Sequence, residues 1–63
     1  MRERLRQARI EKNKTQKEVA NAIGISVVGY RQIESGKRVG SISNWDKLED
    51  YFNINQRELR EIS

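Results

Sequence analysis

An all-α fold, a compact bundle of five short helices, is what this sequence predicts, and three observations carry that expectation. Proline is absent and glycine is scarce, at 4 residues in 63, so little interrupts a helix. No alternation of Val, Ile and Thr runs long enough to make a strand. Every segment that holds an apolar pattern repeats it at spacings of three and four, the helical period.

Each element follows from its own residues. Helix one is expected from about Arg2 to Lys12, with Leu5 and Ala8 on one face beside the stem of Arg9. Asn13 is its stop, because Asn tolerates the left-handed conformation at a helix C-terminus. Helix two begins at Thr15, where Thr15-Gln16-Lys17-Glu18 reads as a capping box. Val19, Ala20 and Ile23 form its inner stripe, and Gly24 ends it. Ser26 caps helix three, and Ile25 and Tyr30 are placed for a hydrophobic staple around that cap. Ile33 continues the inner face, and Ser35 and Gly36 close the helix. Lys37 to Gly40 is a loop. Ser41 or Ser43 caps helix four, whose apolar set is Ile42, Trp45, Leu48 and Phe52. Asn53 breaks it, Ile54 tucks in, and Asn55 caps a last short helix carrying Leu59 and Ile62.

The expected core is therefore Leu5, Ala8, Val19, Ala20, Ile23, Ile25, Tyr30, Ile33, Ile42, Trp45, Leu48, Phe52, Ile54 and Leu59. Trp45 reads as a core anchor, since an aromatic on an apolar helix stripe buries its large surface there. No linker, repeat or low-complexity stretch divides the chain, so residues 1–63 are read as a single domain.

Composition narrows the function. The chain has no Cys and no His, which removes disulfides, thiolate metal sites, and the commonest metal ligand and general base. With no nucleophile–base pair or metal cluster in sight, the chain is not read as an enzyme, and no cofactor is expected. No long apolar run provides a membrane span or a secretory signal, which points to the cytoplasm. The formal charge of +4 is uneven. Residues 1–40 hold ten Lys and Arg against four Asp and Glu, a net of +6, whereas residues 41–63 hold three against five, a net of −2. A basic front half suits a nucleic-acid binder, or it is simply a solvated surface.

Helix three sharpens the choice. With Tyr30 and Ile33 turned inward, the opposite face carries Val28, Arg31, Gln32 and Ser35, with Ser26 and Val27 at its tip. Such a helix can enter a major groove N-terminal end first. Gln32 can pair with the N6 donor and N7 acceptor of adenine, Arg31 can reach phosphate or guanine, and Val27 or Val28 can pack on a thymine methyl. Gly29 would let helix and duplex come close. The competing reading is that the same face packs on a partner protein.

The stretch "TQKEVANAIGIS" followed by "YRQIESGKR" resembles the helix-turn-helix domain of phage repressors and Cro proteins, the xenobiotic-response-element type. The matching positions are Thr15, Gln16, Val19, Ala20, Gly24, Ile25, Ser26, Tyr30, Ile33, Glu34 and Gly36, and the likeness extends from Leu5 to Leu59. It implies a lambda-repressor-like fold and a sequence-specific regulator of transcription, expected to be a repressor, that binds double-stranded operator DNA as a homodimer. It further implies that Gln16, with the start of helix two, binds a phosphate and that Thr15 adds its hydroxyl. Val27, Val28, Arg31 and Gln32 would face bases, and Ser35, Lys37 and Arg38 would grip the backbone. Arg9 and Glu34 match an ion pair that links helix one to helix three in this family.

The chain departs from that pattern at Ala8, where a larger apolar residue is common, at Lys14, where leucine is usual, and at Tyr30, which replaces a smaller aliphatic and fills space that Ala8 leaves. Val27, Val28 and Gly29 carry few hydrogen-bonding groups, so discrimination is expected to rest on Gln32, Arg31, thymine methyls and DNA shape. Leu59 and Ile62, rimmed by Arg57, Arg60 and Glu61, are candidates for a dimer seam, unless Leu59 only closes the core. The reading from a second class is an antitoxin-type module that grips a partner protein.

Overall fold

Polar caps and left-handed turn residues cut the chain into its helices. The computed structural model describes residues 1–61. The order is α1 (Glu3–Glu11), α2 (Gln16–Ile23), α3 (Val27–Ser35), α4 (Ile42–Phe52) and α5 (Gln56–Leu59), with no strand among the described residues.

The predicted caps form. Thr15 Oγ1 accepts from the Glu18 N–H while the Glu18 carboxylate accepts from the Thr15 N–H, which completes the capping box of α2. The Thr15 N–H, and after it the Thr15 hydroxyl, hold the Glu18 pKa below the usual carboxylate range. Ser26 and Ser41 accept from the third N–H of α3 and α4, so Ser41 rather than Ser43 is the cap of α4. Asn55 Oδ1 accepts from the Arg57 N–H at the start of α5. Asn13 and Asn53 take φ of 58° and 55° at the helix ends, as Asn in such turns is placed to do. Between α2 and α3, Gly24 at φ 78° makes the tight turn that lets the two helices pack on each other.

Ten apolar side chains form one buried cluster: Leu5, Ala8, Val19, Ala20, Ile23, Tyr30, Ile33, Trp45, Leu48 and Leu59. Ile25, Phe52 and Ile54 are half-buried against it, and Val27 and Tyr51 join them. Ile42 does not belong to the core, being 75% exposed. It is the first residue of α4, and a helical Cα–Cβ bond tilts toward the N-terminus, so this side chain leans over the helix end into solvent while Trp45 and Leu48 carry the inner stripe. Leu59 is fully buried, so it closes the core and offers nothing to a dimer seam. Ile62 lies outside the described residues.

One charged group sits in this interior. Glu34 is 1% exposed and receives a two-pronged bond from Arg9, Nε to Oε2 and Nη2 to Oε1, both at 3.0 Å. Arg9 Nη1 also donates to the Lys14 carbonyl, tying the α1–α2 turn to the same cation. The carboxylate raises the already high pKa of the guanidinium. Alongside, the buried Tyr30 hydroxyl has no well-formed hydrogen bond among the described residues, and burial next to Glu34 pushes its pKa far above that of an ordinary phenol.

Loss of either partner of the pair strands the other charge, so Arg9→Ala and Glu34→Ala are each expected to cost about 3–5 kcal/mol. In thermal melts followed by circular dichroism, Tm should fall on the order of 15–30 °C, and the double variant should lose less than the two singles together. At Gly40, with φ 84°, an added Cβ would lie 3.1 Å from Trp45 Nε1 and 3.2 Å from Ile33 Cδ1, whereas at Gly24 it would meet nothing within 4 Å. Gly24→Ala should therefore cost only the left-handed backbone penalty of about 1–2 kcal/mol, and Gly40→Ala measurably more in the same melts. Glu18 has a folded-state pKa below its unfolded one, so its contribution is present above the unfolded value and is lost as pH falls through the folded value. Glu18→Gln should lower Tm at pH 7 but match the parent chain in strongly acidic buffer, where both side chains are neutral.

Candidate nucleic-acid interface

The second of the two packed helices, α3, divides its residues sharply. Gly29, Tyr30, Ile33 and Glu34 are buried, while Val28 is 58% exposed, Arg31 is exposed, and Gln32 and Ser35 are half-exposed. The orientation expected from spacing is thus the one adopted. Ion pairing to Arg9 on one side and the packed aromatic of Tyr30 on the other leave this helix one rotation about its axis.

The tip of α3 differs from expectation at two residues. Val27 is half-buried against the core, so Val28 is the apolar side chain that projects freely. Gly29 is buried, and a Cβ there would lie 3.2 Å from Ser26 Oγ and 3.7 Å from an Arg38 guanidinium nitrogen. The space beside this glycine is filled by the chain's own cap and by the arm of Arg38, not left open for a duplex.

Gln16, at the first position of α2, and Arg31, on the outer face of α3, meet directly: Arg31 Nε donates to Gln16 Oε1 at 3.2 Å. The bond leaves the Gln16 amide N–H groups and the terminal nitrogens of Arg31 free to donate elsewhere. The capping box uses the N–H groups of Thr15 and Glu18 and leaves those of Gln16 and Lys17 without a partner among the described residues. The start of α2 therefore presents free donors and the positive end of a helix dipole. The hydroxyls of Thr15 and Ser26 are acceptors in their caps, and each keeps its own proton to donate.

Past α3, Lys37 and Arg38 are exposed, and neither makes an ion pair among the described residues. Ser35 Oγ donates to the Gln32 carbonyl and so turns back onto its own helix. Apolar, amide and cationic groups thus line one side of α3, with free cations and free N–H donors at its flanks. Such a surface can bind a polyanion and probe a groove beside it. Among the described residues, no group of three or more acidic, His or Cys side chains is placed to hold a metal ion. No helix of the described residues is long and apolar enough to cross a membrane.

Sequence reasoning missed Arg2. Its backbone N–H donates to the Glu34 carbonyl at 2.8 Å, and its Nη1 donates to the carbonyls of Ile33 and Arg38. The guanidinium also lies over the Trp45 ring, 5.2 Å from its centroid. No sequence signal marks it, because its partners are backbone oxygens more than thirty positions away.

The chain spans about half the length of the curated relative it matches: the cryptic phage CTXphi transcriptional repressor RstR of Vibrio cholerae serotype O1 is 39% identical over 59 residues, covering 94% of this chain and 53% of that protein. No solved structure matches the chain. The profile of the helix-turn-helix family matches residues 5–60, which takes in most of α1 and all of α2 through α5, with the Gly24 turn and the buried ion pair. This chain belongs to the helix-turn-helix family.

Proposed function

We propose that this chain is a sequence-specific double-stranded DNA-binding regulator of transcription, acting as a repressor, with α3 as the helix that enters the major groove. The observation that carries the reading is the outward placement of Val28, Arg31 and Gln32 beside the exposed cations Lys37 and Arg38, which make no ion pair among the described residues. The similar phage protein is itself named a transcriptional repressor, which supports the regulatory part.

In this reading Gln32 recognises adenine through its amide, Val28 packs on a thymine methyl, and Arg31, steadied by Gln16, reaches guanine or phosphate. Val27 and Ser26 stand at the tip, where Val27 chiefly supports Val28 from the core side. Gln16 and the free N–H groups of α2 hold one phosphate, joined by the Thr15 hydroxyl. Lys37 and Arg38 follow the backbone beyond α3, and Ser35 joins them once its hydroxyl releases the Gln32 carbonyl. A binder of this kind needs no catalytic group or cofactor, and it acts in the cytoplasm as a homodimer on two half-sites about one helical turn apart. A protein-gripping role of antitoxin type finds no support in the relative matched, which is named for transcription.

Selection of bound sites from a random duplex pool tests the reading and supplies the operator. Affinity for the selected duplex should fall by orders of magnitude between low and moderate salt, as expected for several phosphate contacts; affinity indifferent to salt would refute it. On that duplex, Gln32→Ala should cost about 1–3 kcal/mol and relax preference at one base pair, whereas Lys37→Ala should weaken all sequences alike and flatten the salt slope by about one. Indistinguishable behaviour of these two variants would mean that the assignment of faces is wrong.

A further inference from the structure

The loop that carries Lys37 and Arg38 has no regular structure of its own, yet it is held at three consecutive residues. The Arg38 carbonyl accepts from Arg2 Nη1 at 2.8 Å. The Val39 carbonyl accepts from Trp45 Nε1 at 2.7 Å. Gly40 turns with φ 84° beside the indole Nε1 of Trp45 and the Ile33 side chain. Arg2 joins these restraints: the same nitrogen bonds the Ile33 carbonyl, its backbone N–H bonds the Glu34 carbonyl, and its guanidinium rests over the Trp45 ring.

We propose that Arg2 is a positioning residue of the DNA-binding face, a clasp that fixes the 37–40 loop against the end of α3 so that Lys37 and Arg38 are pre-arranged for the phosphate backbone. The proposal rests on the DNA-binding reading above. Two physical points favour it. The last carbonyls of a helix lie at the negative end of its dipole, so a cation bonded to the Ile33 carbonyl is well placed on electrostatic grounds. Arg2 is half-buried, with Nη1 turned to carbonyl oxygens and its plane to an indole, and so it acts through the loop instead of touching phosphate itself. Lys and Arg side chains on a loose loop would lose the loop's freedom on binding; a loop already fixed avoids that loss.

Arg2→Lys tests this. It keeps the charge and the backbone bond to Glu34, and replaces the planar guanidinium, whose Nη1 bonds both carbonyls while its plane rests on the indole, by a shorter side chain with a compact ammonium. Binding to the selected duplex is measured by fluorescence anisotropy across a salt series, at a temperature where circular dichroism shows the variant folded. Affinity should drop about tenfold with a salt slope shallower by one to two, while base preference stays unchanged. In a Lys37→Ala, Arg38→Ala background the same substitution should change affinity less than about twofold, because the groups it positions are gone. Trp45→Phe, which releases the Val39 carbonyl, should reproduce the pattern from the other side of the loop and serves if Arg2→Lys does not fold. Undiminished affinity, an unchanged slope, or a full tenfold loss persisting in the loop-alanine background would each overturn the proposal. A parent chain that binds no duplex in a salt-dependent way would bring down the DNA reading itself, which is a separate and earlier failure.

Discussion

A carboxylate in the interior of a chain of 63 residues is the constraint to which the rest of this structure answers. Glu34 is held there by Arg9, which reaches across from α1 with two parallel bonds. Such a pair adds little net stability over a well-packed apolar substitute, since both ions have given up water. What it adds is geometry. It fixes α1 against α3, and through the Lys14 carbonyl it fixes the turn that leads into α2. Rotation of α3 about its axis would separate the ions, so Tyr30 and Ile33 stay inside and Val28, Arg31 and Gln32 stay outside.

The same economy runs through the helix ends. Each of α2, α3, α4 and α5 begins at a side chain that accepts from its first turn, and left-handed Asn or Gly residues end α2, α3 and α4. Short helices gain little from propensity alone, so caps and tertiary contacts make up most of what keeps them formed. The cross-chain links serve the same end. Arg4 reaches Glu58 at 2.7 Å, and the Arg4 N–H donates to Glu61, which closes the start of α1 with a residue from the far end of the chain. Glu49 accepts from the Gln56 N–H and so steadies the start of α5.

Much of this was legible in the sequence, for a physical reason: caps and apolar spacing are local, and locality is what a one-dimensional reading sees. Thr15, Ser26, Asn13, Gly36 and Asn53 take the places their chemistry predicts. The errors arise where three-dimensional placement decides. Ile42 has the right spacing for the core stripe but stands at a helix end, where spacing says nothing about overhang. Val27 and Gly29 sit at a tip whose neighbours, the core on one side and Arg38 on the other, are set by tertiary packing. The Arg9–Glu34 pair was visible only through family resemblance, since its members stand 25 positions apart. Arg2 was invisible by any route, because its partners are main-chain oxygens that every residue type possesses.

Trp45 is the single tryptophan in the chain, and its ring lies under two cations, Arg2 at 5.2 Å and Arg60 at 5.6 Å. Indole emission responds to the field across the ring and to what its N–H touches. The protein thus carries a native optical probe, without labelling, at the junction of its first residues, its last described helix and the loop past α3. Lifting either guanidinium away, or freeing the Val39 carbonyl, would shift its colour.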